Sequence, residues 1–312
     1  MPTFKIVSRW DTTRVIFECE ADSLRAALEQ AVVKEVCLRD SNLRGSDLSG
    51  SDLSGSDLRD SDFRDSNLRD SNFRGSDLRG SNFRGSDLRG SNFRDSNLRD
   101  SNFRGSDFRG SNFRGSDLRG SDFRDSNLRD SDLRGSNFRG SDLRDSDFSG
   151  SDLRGSDLRD SDFSDSNFRD SDLSGSDLSG SNFRGSDLRD SDFSGSDLRG
   201  SNLTPIRDDL WAVLSASPSE VDGLRAAIAE GRISGSSYEG DCACLVGTIA
   251  KVCHKKYDEL PNLKPNSNRP AERFFLAIKV GDTPETNQFS RLALEWVEAW
   301  LWNVKSAFSV NA

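Results

Sequence analysis

The residues that could do metal chemistry lie close together in the last quarter of the chain. Cys242 and Cys244 are separated by one residue, and Cys253 and His254 follow as neighbours. Three thiolates and an imidazole are a ligand set that tetrahedral zinc accepts. The spacing matches no familiar zinc signature, and the segment from Cys244 to Ile249 is apolar, which favours buried thiols. A structural zinc site and a reactive or disulfide-bonded pair are the alternatives, and we expect no metal and no cofactor.

Nucleophilic catalysis has few residues to use. The chain has a single histidine, so a serine–histidine–aspartate triad would have to include His254. Serine and aspartate are abundant, but a repeat accounts for them. Since no motif brings candidate acids, bases and nucleophiles together, we predict no catalytic residue and a protein that is not an enzyme.

A five-residue unit repeats 33 times without a gap from Ser41 to Pro205. Each unit is Ser, then Asp or Asn, then Leu or Phe, then usually Arg or Ser, then usually Gly or Asp, and Val36–Asp40 is an imperfect first copy. A period of five fits neither the helix nor the strand, and one apolar residue in five would be spread around a helix. The chain must therefore turn after each unit, so that every Leu or Phe faces one axis, and Gly or Asp suits such a corner.

The repeated tract resembles the pentapeptide-repeat family, whose consensus is a small residue, Asp or Asn, Leu or Phe, and two variable residues. The resemblance covers residues 36–205. It implies a mainly β fold, a right-handed quadrilateral β-helix (a pentapeptide-repeat solenoid) with four units per coil. Because stacked strands are ~4.8 Å apart, 33 units would make about eight coils and a rod roughly 40 Å long.

The phenylalanines test whether a coil contains four units. If it does, residues 20 apart are vertical neighbours, and their rings should stack in ladders inside the rod. Chance alternation of Leu and Phe is the alternative. One series with this spacing is Phe63, Phe83, Phe103 and Phe123, continued by Phe163 and Phe183, and a second series, offset by ten, is Phe73, Phe93 and Phe113.

Serine at the inward position of every unit needs hydrogen-bond partners. A buried hydroxyl without one costs about 1–3 kcal/mol. We therefore predict that each serine donates to a backbone carbonyl or to the serine of the next coil. The Asp or Asn that follows is expected to cap local backbone amides, as these residues do in turns.

Irregular sequence flanks the repeats, so we divide the chain into residues 1–35, a small α/β N-terminal cap, residues 36–205, the β-helix, and residues 206–312, an α-helical C-terminal capping domain. The cap should contain a hairpin of Lys5–Val7 and Val15–Phe17 and a helix from Asp22–Leu24. Expected helices of the last domain start at Thr204, as N-cap, with Pro205 as first residue, then run from Pro218 to Gly231, from Arg269 to Val280, and from Thr283 to Phe308.

The net charge of −10 argues against nonspecific binding to nucleic acid or to an anionic membrane. The repeats carry 25 arginines at position four against 20 aspartates at position two and 12 at position five. The simplest interpretation is a solvated surface with many ion pairs. The sharper ones are acidic columns that imitate a phosphate backbone, or arginine columns that hold an anionic partner.

The function predicted from sequence is a non-catalytic structural scaffold or protein-interaction module with an unidentified protein partner, as a monomer or homodimer. The uniform units favour an engineered or consensus sequence. The resemblance implies an alternative, a DNA mimic that inhibits a DNA gyrase-type topoisomerase. No membrane span or signal pattern is present, and five cysteines without a signal peptide favour the cytoplasm.

Overall fold

An antiparallel hairpin and one helix precede the repeats. The computed structural model describes residues 1–235, 244–252, 254, 256, 260, 263–266 and 268–309. Strand β1 (Thr3–Val7) pairs with β2 (Val15–Glu20), and helix α1 (Leu24–Val33) follows. The Ser23 hydroxyl accepts a hydrogen bond from the Ala26 amide at 3.1 Å and so caps this helix. The two strands and the helix expected here are confirmed, with longer strands.

The repeats pair with one another at a constant spacing of 20 residues. Parallel bridges join the position-two residues of successive coils, from Asn42 with Asp62 to Asn182 with Asn202. Each coil therefore contains four units. Three backbone hydrogen bonds typically link a unit to the unit one coil further on. For example, the Phe83 amide donates to the Asn102 carbonyl at 2.7 Å, the Asn102 amide to the Ser81 carbonyl at 3.0 Å, and the Gly85 amide to the Arg104 carbonyl at 3.1 Å.

The pairing produces little continuous strand. Each unit contributes one bridged residue before the chain turns, and in the described part of the chain β1 and β2 are the only extended strands. The expectation of a mainly β fold therefore holds for the pattern of hydrogen bonds and is too strong as a statement of strand content. The reason is the corner, which interrupts every unit after its third residue.

Every corner is a four-residue turn with a left-handed residue in it. The amide of the next serine donates to the carbonyl of the Leu or Phe three residues earlier, as Ser66 does to Phe63 at 3.2 Å. The fifth residue of the unit has positive φ, for example +70° at Gly75 and +59° at Asp65. A type II turn requires this conformation at its third position, which Gly adopts freely and Asp tolerates. The alternation of Gly and Asp at position five follows from it.

The Leu and Phe side chains fill the axis of the coil and are almost completely buried. Phe63 and Phe83 stack in parallel with ring centroids 4.6 Å apart, and Phe73 and Phe93 do so at 4.9 Å. The two series meet edge to face across the axis, as Phe63 and Phe73 do at 6.1 Å. The stacks continue through Phe103, Phe113 and Phe123, and again from Phe163 to Phe183.

Two further features of the core follow no series noted in the sequence. Phe108 contacts Phe103 and Phe113 at 5.2 and 5.1 Å, and therefore joins the two stacks. Phe148 and Phe168 form a third parallel stack at 4.8 Å. This third stack could have been predicted from the sequence, because Phe148 and Phe168 are also 20 residues apart, on a face offset by five residues from that of the first series.

The serine hydroxyls tie each coil to the one before it. Every repeat serine from Ser61 to Ser201 donates to the carbonyl of the Leu or Phe 23 residues earlier, as Ser66 does to Leu43 at 2.7 Å. The predicted donation to backbone carbonyls is confirmed. Contact between serine hydroxyls is the exception, seen between Ser51 and Ser71 at 3.3 Å.

Helices follow the last coil. They are α2 (Thr204–Ala216), a 3₁₀ turn (Pro218–Glu220), α3 (Val221–Ala229), α4 (Leu245–Val252), α5 (Pro270–Phe275) and α6 (Gln288–Ser309). In the described residues no helix has both the length and the apolar character to cross a membrane. Helix α4 was not predicted from the sequence, which indicates only that most of its residues are apolar.

Three expected helix ends were wrong. Thr204 is the first residue of α2, with Leu203 at the cap, because its hydroxyl donates to the Asn202 side chain and caps no amide. Helix α5 is shorter than the expected Arg269–Val280. Helix α6 starts at Gln288 rather than Thr283, since the Asn287 side chain accepts from the amides of the next turn. The Phe308 side chain lies outside the described residues.

Both ends of the coil are covered. At the first coil, the Arg9 amide donates to the Asp40 carbonyl at 2.7 Å and Asn42 donates to Val7 at 2.8 Å. At the last coil, the Leu198 amide donates to the Gln288 side chain at 3.0 Å and the Asp190 amide to the Asn268 carbonyl at 3.2 Å. These contacts satisfy some of the backbone groups that would be unpaired at an open end.

The corner geometry yields a stability prediction. Gly75→Ala should lower the free energy of unfolding by about 1 kcal/mol, because an L-residue with a Cβ resists φ near +70°. No atom lies within 4 Å of the position that the added methyl group would occupy, so sterics beyond the backbone do not contribute. Gly75→Asn is the control and should cost less, since Asn adopts this conformation more readily. The measurement is the urea midpoint by circular dichroism, and equal stability of Gly75→Ala and the parent would contradict it.

Candidate binding surface

The residue at position two of each unit uses one side-chain oxygen to hold the turn. Its Oδ1 accepts from the amide of the residue two positions on, at 3.1 Å both from Arg64 to Asp62 and from Arg84 to Asn82. Asp and Asn are equivalent in this contact. The expectation that they cap local amides is confirmed, and these carboxylates belong to the framework.

The second carboxylate oxygen binds the arginine of the same unit. In all thirteen units with Asp at position two and Arg at position four, the Arg Nη2 donates to the Asp Oδ2, at 2.5 Å for Arg64 and Asp62 and 2.7 Å for Arg109 and Asp107. We call these the aspartate-paired arginines. Each guanidinium is turned back against its own unit.

Asparagine at position two leaves the arginine without this partner, because the amide nitrogen is a donor. Twelve units have Asn followed by Arg, and we call their arginines asparagine-following. Some reach a corner aspartate of the next coil, as Arg104 reaches Asp125 at 3.1 Å. In the part of the chain that the structure describes, no ion pair is formed by Arg74, Arg84, Arg99, Arg114 or Arg184, and the Nε atom of Arg99 is buried without an acceptor.

The contact with arginine lowers the pKa of paired aspartates such as Asp87. The guanidinium of Arg89 holds the pKa of Asp87 below its ordinary value of 3.8, and the carboxylate in turn raises the pKa of Arg89. Arg89 also lies 3.7 Å from Asp107 of the next coil. The position-two aspartate and the arginine of a paired unit thus cancel each other, and the unit is neutral unless an aspartate also occupies its corner.

The choice of Asp or Asn is not uniform along the rod. Residues 71–120 contain ten arginines and six aspartates, and we call this segment the basic band. Residues 41–70 contain four arginines and seven aspartates, and residues 121–140 contain four of each. Residues 141–200, the acidic segment, contain seven arginines and fifteen aspartates. An acidic chain thus carries a positively charged segment, which the overall charge conceals.

A groove of about 530 Å³ runs along one face of the rod from Arg44 to Asp125 and overlaps the basic band at Arg84 and Arg104. The groove exists because Gly85 and Gly105 have no side chains at corners flanked by Asp65 and Asp125. Its walls are the stacked arginines of four successive coils, Arg44, Arg64, Arg84 and Arg104. Arg84 and Arg104 follow asparagine and are exposed, whereas Arg64 is paired with Asp62 and partly buried.

A larger cleft of about 680 Å³ lies where the last coil meets the helices. Its polar groups serve to attach these parts, since the Gln288 side chain donates to the Ser196 carbonyl and accepts from the Leu198 amide at 3.0 Å. We therefore take the arginine groove as the candidate site.

The cysteine and histidine candidates are not brought together by the described residues. Cys244 is buried, and burial raises the pKa of its thiol to about 11, so that it is protonated at neutral pH. His254 is exposed, and Cys242 and Cys253 lie outside the described residues. Within the described part of the chain, no cluster of three or more His, Cys, Asp or Glu side chains could hold a metal ion.

Comparisons with known proteins concern the coiled tract. A family model described as pentapeptide repeats, in eight copies, matches residues 86–125, 126–165 and 166–204, and a model described as a pentapeptide repeat region matches residues 13–93. No curated protein matches the chain.

Several solved structures match the chain with low sequence identity and low TM-scores. HetL from the cyanobacterium Nostoc sp. strain PCC 7120, involved in heterocyst differentiation regulation, is 20% identical with a TM-score of 0.26, over 54% of this chain and 87% of HetL. A trypsin-treated form of QnrB1, a plasmid-mediated fluoroquinolone resistance protein, is 23% identical with a TM-score of 0.31, over 54% of this chain and 93% of QnrB1. A protein of the Arabidopsis thaliana thylakoid lumen is 23% identical with a TM-score of 0.15, over 55% and 76%.

Stacked coils, inward Leu or Phe and left-handed corners define a β-solenoid built from five-residue units. With the two matching models covering this tract, the chain belongs to the pentapeptide-repeat family. The fold of its repeats is accordingly of the right-handed β-helix type, and neither model indicates a catalytic family.

The lowered pKa of the paired aspartates gives a pH prediction. A carboxyl whose pKa is lower in the folded protein stabilises it above the unfolded value, and this contribution is lost as the pH falls through the folded value. The free energy of unfolding should therefore decrease between pH 5 and pH 2. Asp87→Asn with Asp132→Asn, which removes two paired carboxylates, should make the decrease smaller.

The measurement is the urea midpoint at pH 5 and pH 2.5. Asp100→Asn with Asp130→Asn is the matched control, because these corner carboxylates have no arginine partner among the described ion pairs. An equal acid sensitivity of both double variants would contradict the role given to the arginine contacts.

Proposed function

We propose that this protein is a non-catalytic protein-interaction scaffold, a rigid quadrilateral β-helix whose arginine-lined surface binds an acidic protein. The observation that carries the proposal is the division of the arginines by the residue at position two. Thirteen are neutralised within their own unit, whereas those in the groove of the basic band that follow Asn are exposed. Exposed guanidinium groups can form ion pairs with a partner.

Several observations support a role without catalysis. The position-one serine hydroxyls from Ser61 to Ser196 are buried donors to the backbone, which removes them as nucleophiles. The position-two carboxylates accept hydrogen bonds from backbone amides, and thirteen of them also bind a guanidinium group, so these carboxylates are engaged in contacts of the framework. Side chains arranged in this way are suited to display charge in fixed columns.

The alternative, a DNA mimic directed at a gyrase-type topoisomerase, finds less support in the charge pattern. Such a mimic needs uninterrupted negative charge along the rod, whereas arginines outnumber aspartates in the basic band. The paired arginines also neutralise the position-two carboxylates of thirteen units. The acidic segment alone, residues 141–200, offers the charge that a mimic requires.

We further propose that residues 1–35 and 206–312 act as caps on the repeats, and that the protein resides in a reducing compartment, the cytoplasm. The hydrogen bonds from Leu198 and Asp190 to the helical region support the first point. Cys19, Cys37 and Cys244 are free thiols and support the second. The uniformity of the units is consistent with a consensus-designed tract.

The arginine division predicts which substitutions weaken binding. Arg44→Gln, Arg84→Gln and Arg104→Gln remove the three asparagine-following arginines of the groove and together should weaken binding of fluorescent poly-L-glutamate about tenfold at low salt, because exposed charges form the contacts. The control, Arg79→Gln, Arg89→Gln and Arg109→Gln, changes the net charge by the same amount but removes paired arginines outside the groove, and should have a much smaller effect. Fluorescence anisotropy measures both.

Equal losses in the two triple variants would show that total charge, and not the position-two residue, governs binding. No binding of poly-L-glutamate by the parent protein would overturn the proposed function. A DNA supercoiling assay with excess protein tests the alternative, and inhibition of gyrase by the parent would favour the DNA mimic instead.

The proposed caps predict the behaviour of a truncated chain. Removal of residues 206–312 exposes the last coil, with its unpaired amides and apolar core, and should produce end-to-end assembly. Light scattering at increasing protein concentration measures this assembly. A truncated protein that is folded by circular dichroism and stays monomeric would contradict the capping role.

A further inference from the structure

We infer that the acidic partner is a second copy of this chain, lying antiparallel along the face that bears the arginine groove. The inference rests on the proposed function and adds the identity of the partner. It is carried by the order of charges along one face of the rod and by the constant rise of the coil.

The groove face is the column of units joined by the bridges from Asn42 with Asp62 to Asn182 with Asn202. From the first unit, which begins at Ser41, to the last, which begins at Ser201, the net charges of its nine units are +1, −1, +1, +1, −1, −1, −2, +1 and 0. Positive charge is therefore concentrated in the lower half of the face, and negative charge in the upper half.

Because of this order, the face is complementary in charge to the same face of a second copy that runs in the opposite direction. A twofold axis perpendicular to the face, through the unit that begins at Ser121, brings the three units on either side against units of opposite charge on the second copy, at +1 with −1, +1 with −2, and −1 with +1. The axis generates each contact twice, as an isologous interface requires. Named by their first residues, the paired units are Ser101 with Ser141, Ser81 with Ser161, and Ser61 with Ser181.

The parallel arrangement of two copies is disfavoured by the same charges. In register, it would place every unit against an identical unit and so bring like charges together. In the antiparallel arrangement, only the central unit, which begins at Ser121, lies against the identical unit of the second copy. This unit contains both a positive residue, Arg124, and a negative one, Asp125. The charge order thus favours the antiparallel orientation of the partner. Specific interfaces often exclude a competing arrangement by repulsion, as the like charges do here for the parallel one.

The spacing of the charges also selects a second β-helix. Charges on the groove face recur once per coil, at the strand spacing of ~4.8 Å. Alternate residues of an extended peptide are separated by roughly 6.6 Å, and DNA phosphates by ~3.4 Å per strand along the axis, so either would lose register within a few coils. Another coil with the same rise keeps register along the whole face.

The arrangement brings together groups that lack partners within one chain. Arg84 and Arg184 are exposed and form no ion pair in the described structure, and the same is true of the exposed corner residues Asp145 and Asp165. The antiparallel pairing brings the unit of Arg84 against that of Asp165. It also brings the unit of Arg104, which pairs with Asp125 of its own chain, against that of Asp145.

Local side-chain size agrees with this pairing. The unit facing Arg84 has Ser164 where most units have arginine, so that Asp162 lacks the guanidinium that its own unit would otherwise supply. Opposite it, Gly85 leaves the corner beside Arg84 without a side chain. In the antiparallel pairing, the long side chain of Arg84 therefore faces the short Ser164, which lies between the carboxylates of Asp162 and Asp165.

Sedimentation velocity on the full chain tests the inference. At about 20 mM salt, the parent should sediment as a species of twice the mass of one chain, and at about 500 mM salt as a monomer, because exposed ion pairs are screened. Arg84→Asp with Arg104→Asp should weaken dimerisation at least about tenfold. Arg74→Asp with Arg114→Asp is the control, since these arginines also follow asparagine but lie on the opposite face, and the dimer should persist.

A charge-swap experiment identifies the facing groups. Asp145→Lys with Asp165→Lys should also be monomeric at low salt, whereas a mixture of this variant with Arg84→Asp and Arg104→Asp should form a heterodimer, because both symmetry-related contacts then join opposite charges. Circular dichroism checks the fold of each variant. If Arg84→Asp with Arg104→Asp unfolds, Arg84→Gln with Arg104→Gln replaces it in the test of dimerisation.

Three results would overturn the inference: a parent that stays monomeric at low salt, an equal loss of the dimer in the Arg74 and Arg114 control, or no heterodimer in the mixture. If the parent is monomeric but still binds poly-L-glutamate, the second copy is excluded as the partner while the proposed function stands. If neither is observed, both fail.

Discussion

The backbone hydrogen bonds between residues 20 apart are the constraint on which the rest of this structure depends. Because every unit pairs with the unit one coil above and one coil below, the position of each side chain is set by its place within five residues. The inward Leu or Phe, the buried serine and the left-handed corner all follow from this register. So do the columns on the surface, since equivalent positions are stacked at one strand spacing.

A single atom at position two decides the character of the surface. Both Asp and Asn satisfy the amide at the turn, so the fold accepts either, but only Asp offers a second oxygen to the arginine two residues later. Exchange between them changes the charge of a unit and also the conformation of a neighbouring side chain. Surface properties can thus vary along the rod while the framework remains unchanged.

The repeat determined how much could be predicted from the sequence. A side chain facing the axis once in five residues, together with Phe63 and Phe83 at a spacing of 20, led to four units per coil, and the cost of a buried hydroxyl led to the serine hydrogen bonds. The ends of helices α2 and α6 were missed because they depend on single side-chain contacts of Asn202 and Asn287. The arginine groove was missed because the net charge of the tract averages a basic band with an acidic segment.

A coil of four equal units means that the face on which a residue lies is fixed by counting units, modulo four. After insertion or deletion of one unit, the later units could form the same kinds of backbone hydrogen bond and corner with new partners, but all of them would move by a quarter of a turn. Arginines and aspartates that now share a column would be distributed to neighbouring faces. Only insertion or deletion of whole coils keeps each residue on its face, so a change of one unit preserves the backbone pattern but alters both the phenylalanine stacks and the binding surface.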